Sequence, residues 1–163
     1  MRIAIQGQAG SFHEQAAKRW YGPDATIVPC VTFGDVFQTY ARGQADAIVV
    51  AVENTIYGTI NETYRHIESC SAPIVGEVTL TIQQTLITNP GTKLEDITSV
   101  YSHPVALSQC QHFLQEHLPH AAQIEYFDTA GAVEFIKQHG SPHLAAIAGE
   151  AAAQLHNMPI LKR

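Results

Sequence analysis

The chain has 163 residues, 45% hydrophobic and 15% charged. That is a globular composition, enough for one domain or two small lobes to bury a core without disulfide or metal staples, and it excludes intrinsic disorder. Nine Lys and Arg against 15 Asp and Glu leave a net charge of -6. With no basic run, the chain offers no surface for nucleic acid or an anionic membrane.

Residues 3–5 are an apolar strand closed by a glycine-bearing turn from Gly7 to Gly10, and a helix is predicted over 11–21. Ser11 with Glu14 three positions on has capping-box spacing. A second strand is read at 25–29, and a helix capped by Thr32 carries Phe33, Val36, Phe37 and Tyr40 at helical spacing. Residues 46–52 form the strongest apolar run and read as a central strand covered on both faces. A helix follows at 61–71. Residues 73–88 alternate and read as one long strand between lobes, bent at Gly76. Further strands are read at 99–101, 124–127 and 144–148, and helices at 104–117, 129–138 and 150–156. This alternation predicts an α/β fold of two lobes around a cleft, with a first lobe at 1–79, a second at 80–158, and 159–163 starting a return to the first.

No apolar stretch approaches the ~20 residues of a membrane span. Residues 1–5 read as a strand and not as a signal peptide. Cys30, Cys70 and Cys110 are an odd, widely spaced set, which fits a reducing cytoplasm. No His, Cys or carboxylate spacing supports a metal site; His13-Glu14-Gln15-Ala16-Ala17 lacks the second His of a zinc helix.

Four junctions carry chemistry or simple capping. Gly7-Gln8-Ala9-Gly10-Ser11-Phe12 places a helix N-terminus after a strand, either an ordinary turn or an anion site. Glu53-Asn54-Thr55 leaves the end of the presumed central strand, where ligands collect in open sheets, but Gly58 could equally close a solvated turn. Ser102-His103-Pro104 starts a helix, with Ser102 as the expected cap and Gln109 two turns along its face. Asp128-Thr129-Ala130 is a fourth strand-to-helix junction, with Asp128 or Thr129 able to cap.

In this order the motifs resemble the catalytic domain of prephenate dehydratase. The resemblance is carried by Gly7-Gln8-Ala9-Gly10-Ser11-Phe12-His13-Glu14-Gln15-Ala16-Ala17, by Val50-Ala51-Val52-Glu53-Asn54-Thr55-Ile56-Tyr57-Gly58, by Ser102 to Cys110, by Thr129-Ala130 and by the alanine-rich segment 145–153. Departures are Ala51 for proline, Thr55 for serine and His13 at a small polar position. The resemblance implies a type 2 periplasmic-binding-protein-like fold and a cytoplasmic enzyme of phenylalanine biosynthesis. It implies conversion of prephenate to phenylpyruvate without a cofactor. It assigns Asn54, Ser102 and Gln109 to catalysis, and Ser11, Phe12, Glu53, Thr55, His103, Thr129 and Ala130 to substrate binding. The implied partner is the small-molecule substrate, with a homodimer as a common family arrangement and neither nucleic acid nor membrane. The family's Thr-Arg-Phe motif and ACT regulatory domain lie beyond the segments matched here, so the expectation is of a catalytic domain cut short and impaired. The alternative is a non-catalytic aromatic-acid binding module of the same two-lobed fold.

Overall fold

A computed structural model describes all 163 residues. The chain divides into two compact units, Met1–Gln8 with Phe12–Thr81, and Ala9–Ser11 with Ile82–Arg163.

The first unit is built on a three-stranded parallel sheet of β1 (Arg2–Gln6), β2 (Thr26–Cys30) and β3 (Ala47–Val49), in the order β2-β1-β3. Alternation along β1 sends Ile3 and Ile5 against Ala17 of α1 (Phe12–Tyr21), and Ala4 against Val36 of α2 (Phe33–Ala41) on the other face. All three residues are fully buried; each isoleucine contributes about 1.5–3 kcal/mol by leaving water. Thr32 caps α2 through a reciprocal box with Asp35, as its position in the sequence predicts. β3 is followed by a hairpin of β4 (Glu53–Asn54) and β5 (Gly58–Thr59) and then by α3 (Asn61–Ser69).

Two sequence expectations fail in this unit. The apolar run at 46–52 is not the central strand: β3 keeps only three of its residues, all half-buried, at the sheet's edge. Centrality went to β1 because β1 is the strand with a neighbour on each side and a helix on each face. The long strand at 73–88 is also absent. Residues 70–84 have no regular structure, and only β6 (Thr85–Thr88) forms. Alternation supplies a face to bury, but a strand also needs a backbone partner, and Ile74 and Val75 remain mostly exposed. Gly76 lies under Trp20, where a Cβ would stand 2.2 Å from the indole.

The second unit carries a five-stranded sheet in the order β10-β6-β9-β7-β8, formed by β7 (Ser99–Ser102), β8 (Ala122–Glu125), β9 (Leu144–Ala148), β10 (Ile160–Lys162) and β6. β9, β7 and β8 are mutually parallel, and β6 runs antiparallel to β9. Residues 159–163, expected to begin a return to the first lobe, lie here, with Ile160 opposite Ile87. On one face Leu86, Ala145 and Ile147 pack on Leu107 of α4 (Pro104–Gln109) and Leu114 of α5 (Gln111–His117). On the other, Ile87, Ala146 and Ala148 pack on α6 (Thr129–His139) and α7 (Glu150–His156). The single helix expected at 104–117 is broken. The Cys110 N–H is shared between the carbonyls of Ala106 and Leu107, which tightens the last turn of α4 and ends it before α5 begins.

Candidate functional site

In the first unit, the carboxyl end of β3 leads into the hairpin that holds Glu53, Asn54 and Thr55. Asn54 sits opposite Gly58, whose φ of +90° suits glycine. The Asn54 Oδ1 accepts from the N–H groups of Ile56 at 3.0 Å and Tyr57 at 2.9 Å, an Asx turn that shapes the hairpin. His13 Nε2 accepts from the Ala51 N–H at 3.2 Å, tying α1 to the segment before the hairpin. Nδ1 therefore carries the proton of a neutral His13. Phe12 opens α1 and is half-buried.

In the second unit, the carboxyl ends of β9, β7 and β8 share one edge of the sheet. Ser102 closes β7 there. It is fully buried, and its hydroxyl donates to the Ile147 carbonyl at 2.6 Å. The expected cap of α4 is thus not Ser102 but His103, whose Nδ1 accepts from the Val105 N–H at 3.3 Å. Ser102 belongs to the strand because its hydroxyl finds a buried carbonyl across the sheet, so the two-turn spacing to Gln109 is not a spacing along one helix. Burial holds the His103 imidazole below its ordinary pKa, with Asp128 and Glu125 pulling the other way. The neutral ring keeps Nδ1 as an acceptor and Nε2 as the donor.

Thr129 and Ala130 start α6, and Asp128 caps it, accepting from the N–H groups of Ala130 at 3.1 Å and Gly131 at 3.0 Å. This helix terminus already holds a carboxylate of its own, which weakens the expectation that it receives the anion. The same holds in part for α4, where Pro104 has no N–H and His103 occupies the next one. Ser11 is buried and lies with the second unit. Its neighbour Gly10, at φ +87°, approaches α7 so closely that a Cβ would stand 2.9 Å from the Ala152 Cα.

Gln109 lines a cavity of about 330 Å³ together with Gln84, Leu86, Phe113, Ile147 and Lys162. Cys110 lies beside it, its thiol pushed up by burial. Ser102 reaches this cavity through Ile147, whose carbonyl it holds. Sequence reasoning missed Gln84, which belongs to none of the motifs. Its contribution depends on the register of β6 against β9, and no local pattern reveals that register.

The profile of the family described as prephenate dehydratase matches residues 3–163. The chain belongs to the prephenate dehydratase family. It is 40% identical over 166 residues to the bifunctional chorismate mutase/prephenate dehydratase of Escherichia coli K12, covering 99% of this chain and 42% of that protein. It is 37% identical over 161 residues to the chloroplastic arogenate dehydratase 4 of Arabidopsis thaliana, covering 99% and 38%. The chain thus spans about two-fifths of the length of these curated relatives. The structure of prephenate dehydratase from Arthrobacter aurescens, in complex with L-Phe, superposes with a TM-score of 0.88 at 28% identity, covering 99% of this chain and 54% of that one. The prephenate dehydratase fold therefore holds for this chain, α/β as the alternating elements predict. No helix is long and apolar enough to cross a membrane.

Proposed function

We propose that this chain dehydrates and decarboxylates prephenate to phenylpyruvate. Family membership supplies the substrate class, and the observation that carries the reading is the placement of Gln109 in a cavity at the carboxyl edge of the second unit's sheet. In α/β sheets this is the edge where ligands bind. The cavity has apolar walls from Leu86, Phe113 and Ile147 for a six-membered ring, amides from Gln84 and Gln109, and the cation of Lys162 for a carboxylate. The reaction is driven by aromatisation of the ring. The protein's task is to orient the dianion and help the hydroxyl leave as water. On this reading Gln109 and Ser102 orient substrate and stabilise the transition state from the second unit, and Asn54 of the first unit keeps the catalytic role that the family resemblance implies. In the second unit Ser11, His103, Thr129 and Ala130 are assigned to substrate binding, with His103 donating from Nε2; Phe12, Glu53 and Thr55 of the first unit keep the binding role that the family resemblance implies. Ser102 acts through the Ile147 carbonyl that it holds in the cavity wall. Three cysteines outside any disulfide suit a cytoplasmic home.

The test is phenylpyruvate formation from prephenate, followed by absorbance. Gln109→Ala is expected to lower the rate by about a hundredfold, the loss of one preorganised donor at the reacting centre, with an unchanged unfolding midpoint. Absence of product overturns the dehydratase reading. If phenylpyruvate still binds in that case, the chain is an aromatic-acid binding module instead. The relatives named arogenate dehydratases, at 37% and 38% identity, favour one second reading, in which the aminated analogue is accepted too. Competition between the two substrates measures the preference.

A further inference from the structure

Gln84 is the residue immediately before β6, and the sheet fixes its place. Thr85 stands opposite Ala148, and its hydroxyl donates to the Ala148 carbonyl at 2.8 Å. Gln84 is thereby pinned beside the carboxyl end of β9, on the edge where β7 ends at Ser102. From there its Nε2 donates to the Gln109 Oε1 at 3.3 Å. Its own Oε1 is buried and has no hydrogen-bond partner, and the residue lines the same cavity as Gln109. A buried polar atom without a partner is rare in a native protein, and a polar cavity is where a ligand or an ordered water completes it.

We propose that Gln84 is a positioning residue for Gln109 and half of a two-amide clamp on the ligand. Its nitrogen fixes which end of the Gln109 carboxamide is turned toward Gln84, and its oxygen takes a hydrogen bond from the ligand. The ligand class that fits is a compact ring acid bearing a hydroxyl or ammonium donor. The proposal rests on the reading of this cavity as the dehydratase site, and on that reading the donor is the prephenate hydroxyl. No bond is made or broken at Gln84. It orients, and the rate depends on it through Gln109 and through the pose of the hydroxyl.

Two substitutions separate positioning from scaffold. Gln84→Met keeps length and burial but removes both hydrogen bonds. It is expected to lower kcat/KM by about ten- to a hundredfold, the weight of two lost hydrogen bonds, with kcat down through Gln109 and KM up through the lost ligand contact, and with no change in the unfolding midpoint. Gln84→Glu keeps an acceptor but can donate to Gln109 only when protonated. Its activity is expected to rise as pH falls through the pKa of the new carboxyl group, a limb absent from the wild-type profile. Wild-type kcat, KM and pH profile in both variants overturn the proposal. If the wild-type protein forms no phenylpyruvate, the dehydratase reading fails separately, and the clamp is judged by NMR. The side-chain amide resonances of Gln109, identified by their loss in Gln109→Ala, shift in Gln84→Met if Gln84 holds that amide. If they stay in place, Gln84 does not position Gln109.

Discussion

In the three-stranded sheet the most apolar run of the sequence ends in β3, half-exposed at the edge, while the shorter run in β1 is fully buried between two helices. In the five-stranded sheet the apolar run and the buried position coincide: β9 is the middle strand, paired with β6 and β7, and Ala145 to Ala148 are all buried. The difference teaches that an apolar run reports what a strand can bury. Its place in the sheet is set by which neighbours pair with it, and that information lies elsewhere in the chain.

The comparison can be broken by measuring what each strand contributes. Ile5→Ala in β1 is expected to lose about 2–5 kcal/mol, the range for truncating a fully buried isoleucine. Val49→Ala in β3 is expected to lose no more than about 1 kcal/mol, because less surface is removed from a half-buried edge. Equal shifts of the denaturant midpoint would make β3 the structural equal of β1.

A second pair sets a crowded glycine in one unit against an open one in the other. Gly10→Ala must accept both a left-handed φ and the Ala152 backbone, and a loss of about 2 kcal/mol or more is expected. Gly43→Ala, at φ +68° with nothing within 4 Å, carries only the conformational cost of about 1 kcal/mol. Similar losses in urea unfolding would show that Gly10 is not held against α7.

A smaller effect is the pH response of the α4 cap. Burial lowers the folded pKa of His103 below 6.5, so the folded state resists the proton that the unfolded chain accepts. Its contribution is complete above about pH 6.5 and is lost as pH falls through the folded pKa. His103→Asn retains a capping side chain but cannot titrate. The fall in unfolding midpoint between pH 7 and 5 is expected to be shallower in that variant, and parallel curves would exclude the imidazole.

Smallest is the clamp joining β1 to the segment before β3. Arg2 reaches Asp46 at 2.8 Å and holds its carboxyl down to about 2. Both side chains are exposed, so the readout is the titration itself. In Arg2→Met the Asp46 pKa, followed by NMR, is expected to return toward 3.8. Whatever stability the pair contributes is present above that value and lost as pH falls through about 2.

Much of the fold was legible because its signals are local. The limits of β9 and α7 follow from an alanine-rich run and the helix start after Gly149, and both match the structure residue for residue. Thr32 caps as its spacing says. What escaped the sequence depends on distant partners. Ser102 looked like a cap until the Ile147 carbonyl across the sheet took its hydroxyl. Residues 73–84 looked like strand until no neighbour was there to pair with them. The candidate site was legible in its motifs, with Gln109 at the cavity and Asn54 in its hairpin, but the roles of Asp128 and Gln84 came from register and burial.

The unpaired stretch at 70–84 has a consequence for how the polypeptide could be divided. Every strand from β1 to β5 precedes it, and every strand from β6 to β10 follows it. A gene split at this point would yield two polypeptides, each carrying all the strands of its own sheets. Only residues 9–11, which pack with the second unit, would be translated with the other half. Covalent continuity through this stretch keeps the two sheets in equal number, and no ladder of hydrogen bonds depends on it.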